Sequence, residues 1–219
     1  MPSQLEFHDV CFTCKDKQIL KNISLNIEAG DYISVVGPSG SGKSTFLKLC
    51  CNLISPSGGR ILFCGDDIML TDPVGLRNKI RYCFQTPVMF GNTVMDNLVF
   101  PYTAANKEFD SKKAERLLSF FNLGKNILTA DVKKLSGGEK QRIALIRAVM
   151  LTPEVLLLDE VTSALDVENT KAVENAMDML NKTGVTIVWV THNPAQSRRR
   201  AGKIITIENG GIKTTEVLK

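Results

Sequence analysis

Apolar and polar residues alternate near the start of the chain, whereas unbroken apolar runs appear further along it. Residues 5–10 and 19–27 alternate, which predicts two strands that each bury one face. Residues 155–158 and 185–190 are continuously apolar, as expected of parallel strands that are covered on both faces. The pattern therefore predicts an antiparallel β layer that leads into a parallel core.

The remaining segments complete an α/β arrangement with an inserted helical part. The other predicted strands are residues 32–36, 60–64, 80–84, 204–207 and 212–217, the last two joined as a hairpin at Asn209-Gly210-Gly211. The predicted helices are residues 46–50, a short one capped by Asp72-Pro73, 94–99, 112–121, one opening at Ser136, and 168–180. We expect one domain over residues 1–219, with a core of about 1–86 and 152–219 and a helical subdomain of about 87–151.

A glycine-rich stretch lies between the strand at 32–36 and the first helix. It reads Gly37-Pro38-Ser39-Gly40-Ser41-Gly42-Lys43-Ser44-Thr45. Glycines let successive backbone N–H groups turn inward around an anion, and the following helix directs its positive end at the same point. Lys43 is placed to reach the β- and γ-phosphates, and the Ser44 hydroxyl to hold Mg²⁺. A plain turn before a helix is the alternative, but Gly-Lys-Ser in this register favours a nucleoside triphosphate site.

A second helix start carries glycines that a simple cap does not need. Ser136 and Glu139 are three residues apart, which fits a capping box. Gly137 and Gly138 stand in the first turn, where each costs about 1 kcal/mol relative to alanine. We interpret them as space for the close approach of an anion.

Polar residues follow three of the predicted strands, where ligands bind in sheets of this class. Asp159 is expected to orient Mg²⁺, and Glu160 to accept a proton from an attacking water. His192 is expected to contact the γ-phosphate, and Gln85 to sense the metal or the water. The alternatives are a structural carboxylate pair and a structural histidine.

Composition narrows the class of protein. The net charge is +4, from 27 basic and 23 acidic residues, which does not by itself indicate nucleic acid. No apolar stretch approaches the roughly 18 residues that span a bilayer, and the first residues are unlike a signal peptide, so we expect a cytosolic chain. The 6 cysteines are therefore expected to be reduced. Zinc or redox chemistry at Cys11 and Cys14 is the less favoured reading, and Cys50-Cys51 is expected to fill the core.

Taken together, these motifs resemble those of ATP-binding-cassette (ABC) transporter ATPases, a group of P-loop NTPases with a RecA-like mixed sheet. The matching motifs, in order, are the Walker A loop Gly37–Thr45, the Q-loop at Gln85, the signature Leu135-Ser136-Gly137-Gly138-Glu139, Walker B at 155–159 with Glu160, the D-loop Ser163-Ala164-Leu165-Asp166, and the switch His192. The stretch 83–101 is most similar to the FetA/YbbL branch, short ATPases associated with iron homeostasis.

The resemblance implies a head-to-tail homodimer that binds two ATP molecules with Mg²⁺. Each ATP is held between the Walker A loop of one subunit and Ser136, Gly137 and Gly138 of the other. Gln85 joins Ser44 and Asp159 as a metal contact, and Lys43, Gln85, Glu160 and His192 form the catalytic set. The dimer is expected to dock on a separate transmembrane permease, peripheral to the inner face of the cell membrane, and no nucleic-acid partner is expected.

Three questions stay open at the level of sequence. Family members often stack an aromatic ring on adenine at the position that Cys14 occupies here, so either Phe12 reaches the base or stacking is weak. The competing functions are a soluble cassette protein that acts on DNA or ribosomes and a nucleotide-binding subunit without turnover. The direction of transport also stays open, because some sequence features indicate an importer and others indicate an exporter.

Overall fold

The computed structural model describes residues 3–218, which divide into two compact units. Unit 1 comprises Met1–Tyr82, Glu154–Glu160 and Asn181–Lys219, and unit 2 comprises Cys83–Pro153 and Val161–Leu180. Unit 2 thus contains the predicted helical segment 87–151 and extends beyond it. The segment Val161–Leu180 belongs to unit 2 as well, and a hydrogen bond from Arg142 to Asn169 connects it to the helical segment.

Unit 1 contains two sheets and three helices. The strands are β1 (Ser3–Cys14), β2 (Lys17–Glu28), β3 (Tyr32–Val36), β4 (Gly58–Phe63), β5 (Asp66–Asp67), β6 (Ile80–Cys83, whose last residue falls in unit 2), β7 (Val155–Asp159), β8 (Thr186–Val190), β9 (Lys203–Glu208) and β10 (Gly211–Val217). The helices are α1 (Lys43–Cys50), α2 (Pro73–Lys79) and α7 (Pro194–Arg199). The antiparallel sheet has the order β2-β1-β4-β5, and the mixed sheet has the order β10-β9-β3-β8-β7-β6.

The predicted β layer and core are confirmed. In β1 the residues Leu5, Phe7 and Val10 are buried, as the alternation predicts, while β7 and β8 are buried along their whole length. The core of unit 1 lies between the antiparallel sheet, α1 and the mixed sheet, and the rings of Phe7 and Phe46 lie 5.0 Å apart within it. Cys50 and Cys51 belong to this core, as expected.

The register of the mixed sheet brings three strand ends together. Strand β8 runs parallel to β3 and β7, with Val190 opposite both Val35 and Asp159. The loop that follows β3, the acids that end β7 and the histidine that follows β8 therefore share one edge of the sheet. This is the geometric basis of the site.

Unit 2 is helical. It contains α3 (Val94–Ala104), α4 (Ser111–Phe120), α5 (Gly137–Val149) and α6 (Val167–Lys182, which belongs to this unit as far as Leu180), with 3-10 turns at Lys125–Thr129 and Val132–Lys134. The prediction that the first of these helices ends at 99 is wrong, because α3 continues through Pro101 to Ala104. Pro101 and Tyr102 are buried, and the Tyr102 hydroxyl donates to the Met150 carbonyl at 3.1 Å, which holds the last turn in place.

Candidate active site

The glycine-rich loop has the backbone conformation that an inward-facing ring of N–H groups requires. Gly37, Gly40 and Gly42 have φ values of 143°, 75° and 105°, in the region that L side chains rarely adopt. A Cβ on Gly37 would lie 2.0 Å from the Ile207 carbonyl oxygen, so no side chain fits there. Gly42 is the N-cap of α1, and no side chain caps that end. No side chain therefore caps the N–H groups in the first turn of α1, a feature that helix starts which bind anions share.

Lys43 places its ammonium group inside the loop. Its side chain is buried, and Nζ donates hydrogen bonds to the carbonyl oxygens of Gly37 at 2.9 Å and Pro38 at 2.8 Å. Burial lowers the pKa of Lys43, and the carboxylates of Glu160 and Asp159 oppose that shift. A cation held in this way can exchange its two carbonyl contacts for phosphate oxygens.

Asp159 ends β7 and is 5% exposed. The Ser44 hydroxyl donates to its Oδ1 atom at 2.9 Å, so the hydroxyl and carboxylate that were assigned to Mg²⁺ are adjacent. Hydroxyl and carboxylate oxygens are the ligands that Mg²⁺ prefers, and it usually keeps several waters besides them. The donor set therefore fits this metal. The other oxygen, Oδ2, accepts a hydrogen bond from the Tyr82 hydroxyl at 2.6 Å, a contact that the sequence did not reveal.

Glu160 directly follows Asp159, but its side chain points toward His192 and not toward Ser44. Its φ of 50° lies in the left-handed region, and its N–H donates to the Val190 carbonyl at 3.0 Å. This turn brings Oε1 to 2.7 Å from Nε2 of His192. Glu160 and His192 thus form a pair at the sheet edge, beside Lys43 and Asp159. A carboxylate at this position can act as a general base that accepts a proton from an attacking water.

A cavity of about 260 Å³ lies beside the loop. Its lining residues are Lys17, Gln18, Ile19, Lys21, Pro38, Ser39, Gly40, Ser41, Asn209 and Gly210. Ser41 is 5% exposed, and its hydroxyl has no hydrogen-bond partner among residues 3–218. Among the residues that the structure describes, no aromatic ring lines this space: Phe12 packs partly against the core, and Cys14 is exposed.

In unit 2 the predicted capping box is present at the start of α5. The Ser136 hydroxyl accepts from the Glu139 N–H at 3.2 Å, and Glu139 Oε2 accepts from the Ser136 N–H at 2.8 Å. The Ser136 N–H and the Ser136 hydroxyl both donate to Glu139 Oε2, and these two hydrogen bonds hold the pKa of Glu139 below its usual value. A Cβ on Gly137 would meet open space, whereas one on Gly138 would lie 3.2 Å from the Leu165 side chain. Ser136 and Gly137 are exposed, so this helix start is accessible to a partner molecule.

Arg142 joins three segments of unit 2, and sequence reasoning missed it. The residue is 7% exposed, and its guanidinium donates to the carbonyl oxygens of Phe121 at 3.0 Å and Asn122 at 3.1 Å, and to Asn169 Oδ1. Asn169 in turn donates through Nδ2 to Asp166 Oδ2 at 2.7 Å. The signature helix α5 and the D-loop are therefore tied together through one buried cation.

Gln85 follows β6 by two residues, belongs to unit 2 and is exposed. The Gln141 side chain donates to the carbonyl oxygen of the preceding Phe84 at 3.2 Å, which connects this loop to α5 within the unit. The assignment of Gln85 to metal or water stays a prediction. Cys11 and Cys14 belong to no cluster of metal-binding side chains within residues 3–218, and the Cys11 thiol donates to Asn22 instead.

Comparison with known proteins decides the family. The family model described as ABC transporter matches residues 20–163, more than half of the chain. The chain belongs to the ABC transporter family. It is the ATP-binding and ATP-hydrolysing subunit of a transporter, and subunits of this family act as dimers together with a transmembrane permease. Among residues 3–218, none of the helices combines the length and apolarity needed to cross a membrane.

Relatives in this family include ATP-binding proteins of both exporters and importers. The chain is 42% identical over 205 residues to the probable iron export ATP-binding protein FetA of Escherichia coli K12, covering 93% of this chain and 91% of the relative. It is 36% identical over 210 residues to the phosphate import ATP-binding protein PstB of Saccharolobus solfataricus, covering 90% and 81%. Family membership alone therefore does not determine cargo.

Solved structures confirm the α/β cassette fold. A dimeric post-hydrolysis structure of the ATP-binding cassette MJ0796, bound to ADP and Pi, matches with a TM-score of 0.89 at 29% identity, over 98% of this chain and 99% of that chain. A bacterial Atm1-family ABC exporter with ATP bound matches with a TM-score of 0.88 at 27% identity, over 99% of this chain and 39% of that chain.

Proposed function

We propose that this chain powers the export of iron through a separate transmembrane permease, to which it binds at the inner face of the cell membrane. The observation that carries the proposal is the 42% identity to an iron export ATP-binding protein, which extends over most of both chains. The sequence stretch 83–101, most similar to the same branch, supports it. The phosphate import relative is less similar, at 36% identity.

Within unit 1, the nucleotide lies with its triphosphate in the loop Gly37–Thr45. Lys43 and the N–H groups at the start of α1 neutralise the phosphate charge. Ser44 and Asp159 would hold Mg²⁺, which would stabilise the negative charge that develops on the transferred phosphoryl group. Glu160 accepts the proton of the attacking water, and His192 holds the Glu160 carboxylate in place and contacts the γ-phosphate.

The second helix start completes the site of a partner. Ser136, Gly137 and Gly138 are accessible, and their N–H groups form the positive end of α5. In a head-to-tail dimer they bind the γ-phosphate held by the other subunit. ATP binding therefore closes the dimer, and hydrolysis opens it.

One experiment tests the partner. The tagged chain is purified from detergent-solubilised membranes as wild type and as Glu160→Gln, and copurifying proteins are identified by mass spectrometry. We expect one polytopic membrane protein, with more of it retained by Glu160→Gln in the presence of ATP. Recovery with ribosomes or DNA and without a membrane protein would overturn the transporter assignment.

A second experiment tests the cargo. Cells that lack the native gene are complemented with wild type or with Glu160→Gln, loaded with ferrous iron, and analysed for total metal by mass spectrometry. We expect iron to accumulate with Glu160→Gln, while manganese and zinc stay equal between the strains. Equal iron in both strains would contradict iron export and leave the ATPase assignment standing.

A further inference from the structure

The two oxygens of the Asp159 carboxylate have different partners. Oδ1 accepts a hydrogen bond from the Ser44 hydroxyl at 2.9 Å, and Oδ2 accepts one from the Tyr82 hydroxyl at 2.6 Å. The carboxylate is buried at the end of β7, so these two contacts determine its orientation. One oxygen faces the phosphate loop, and the other faces β6.

The Tyr82 contact has the geometry of a strong hydrogen bond. Hydroxyl donors bound to an ionised carboxylate lie about 2.5–2.7 Å from the acceptor and are stronger than neutral pairs. Strand β6 is the neighbour of β7 in the mixed sheet, so the contact is set by strand pairing. The Tyr82 ring also packs against the core of unit 1, which fixes the position of the hydroxyl.

We propose that Tyr82 is a positioning residue for the divalent cation, because its hydroxyl fixes Oδ2 of Asp159 so that Oδ1 and the Ser44 hydroxyl are presented together to the metal. This inference rests on the proposed assignment of Mg²⁺ to Ser44 and Asp159. If the Ser44 hydroxyl turns toward the cation and its hydrogen bond to Oδ1 breaks, Tyr82 still holds Oδ2. The carboxylate then offers Oδ1 in a fixed direction, and the hydrogen bond from Tyr82 competes with a metal for Oδ2.

The choice of metal follows from this constraint. Mg²⁺ requires a nearly octahedral arrangement at about 2.0–2.1 Å, whereas Ca²⁺ accepts six to eight oxygens and bidentate carboxylates. A carboxylate limited to one oxygen favours Mg²⁺ over Ca²⁺. Loss of the Tyr82 hydroxyl is therefore expected to weaken Mg²⁺ binding more than Ca²⁺ binding.

The test removes the hydroxyl and keeps the ring. Tyr82→Phe is compared with wild type by calorimetric titration of Mg²⁺ and Ca²⁺ into the protein saturated with a non-hydrolysable ATP analogue. Partners that orient a metal ligand typically contribute about 10- to 100-fold in affinity, and we expect a loss of this size for Mg²⁺ and a smaller one for Ca²⁺. Binding of the analogue in the presence of EDTA is expected to stay unchanged.

Two control variants separate this inference from the site assignment. Ser44→Ala is expected to lose metal binding, and wild-type metal affinity in Ser44→Ala would overturn the assigned site itself. Tyr102→Phe removes a hydroxyl bonded to the Met150 carbonyl in unit 2 and is expected to leave metal affinity unchanged. If Ser44→Ala behaves as expected but Tyr82→Phe binds Mg²⁺ like wild type, the Tyr82 inference alone is wrong.

If Tyr82→Phe does not fold, a second variant tests the positioning role. Tyr82→His keeps an aromatic ring and an N–H donor but moves the donor away from Oδ2. We expect its Mg²⁺ affinity to fall below wild type with a smaller change for Ca²⁺. Equal losses for both metals, or no loss for either, would contradict a positioning role.

Discussion

The Nε2 atom of His192 lies 2.7 Å from Oε1 of Glu160, although the two residues follow different strands. The contact exists because Glu160 adopts a left-handed backbone conformation that turns its side chain away from Asp159. The pairing holds the Oε1 atom of the Glu160 carboxylate against the imidazole of His192. This pairing explains how adjacent acids take different roles.

Replacing Glu160 with glutamine is expected to remove hydrolysis and keep nucleotide binding. General acid–base groups typically contribute about 10²- to 10⁴-fold, so kcat should fall by at least about 100-fold. Phosphate release measures the rate, and calorimetry measures ATP affinity. The control is Glu154→Gln, which changes an exposed carboxylate paired with Lys79 and should have little effect. Hydrolysis at the full rate in Glu160→Gln would show that the base is another group.

The Lys43→Ala change is expected to abolish ATP binding at its own loop. Hydrogen bonds to a charged group contribute about 1.5–3 kcal/mol each, so the loss of the ammonium should weaken binding by 10-fold or more per contact. The single Trp189 precedes His192 by three residues and provides a fluorescence signal for the titration. Lys48→Ala, on the same helix, is the matched control. Equal ATP affinity in wild type and Lys43→Ala would contradict the loop assignment.

An arginine at position 136 is expected to block dimer closure without preventing ATP binding. The Ser136→Arg side chain occupies the space into which the partner's γ-phosphate must enter, and it also removes a capping interaction of about 1 kcal/mol. Light scattering after size exclusion, with ATP in a Glu160→Gln background, reports the dimer. Ser119→Arg, at an exposed position of α4, is the control. A normal ATP-dependent dimer in Ser136→Arg would show that this helix start does not complete the partner's ATP site.

Base recognition is expected to be weak, because Phe12 packs against the core and no aromatic ring lines the cavity beside the loop. Phe12→Leu should lower the melting temperature and leave ATP affinity unchanged. Cys14→Tyr should raise ATP affinity, since a base stacked on a ring contributes about 1–3 kcal/mol. Competition titrations with ATP and GTP measure both effects. A marked loss of ATP affinity in Phe12→Leu would instead place its ring on the base.

Alkaline pH is expected to destabilise the core at Cys51. Burial raises the pKa of this thiol from 9.0 to about 11, so the folded state favours the neutral form. The contribution to stability is complete below pH 9 and is lost as the pH rises through 11, by about 2 kcal/mol at that pH. Urea unfolding between pH 8 and pH 11 measures this loss. The slope should be shallower in Cys51→Ala, and identical slopes would contradict it.

Much of the fold could be predicted because its signals are local. The Ser136 and Glu139 pair is three residues apart and forms the capping box as expected. The continuous apolar runs became the two fully buried strands β7 and β8. The predicted end of α3 at residue 99 was wrong. Proline is usually unfavourable inside a helix, but α3 continues through Pro101. Burial and the distant contact of Tyr102 with Met150 hold that turn instead.

The sequence by itself predicted the phosphate loop, since the strand, the glycine-rich turn and the helix start are consecutive in the chain, although the distant Ile207 carbonyl also requires a glycine at position 37. It also determined which polar residues end the buried strands. Tertiary structure decided the partners of those residues. Tyr82 reaches Asp159, and His192 reaches Glu160, through strand order and backbone turns that bring distant parts of the chain together. A hydrogen bond between strands depends on their register, and no local pattern of residues specifies which hydroxyl will face which carboxylate.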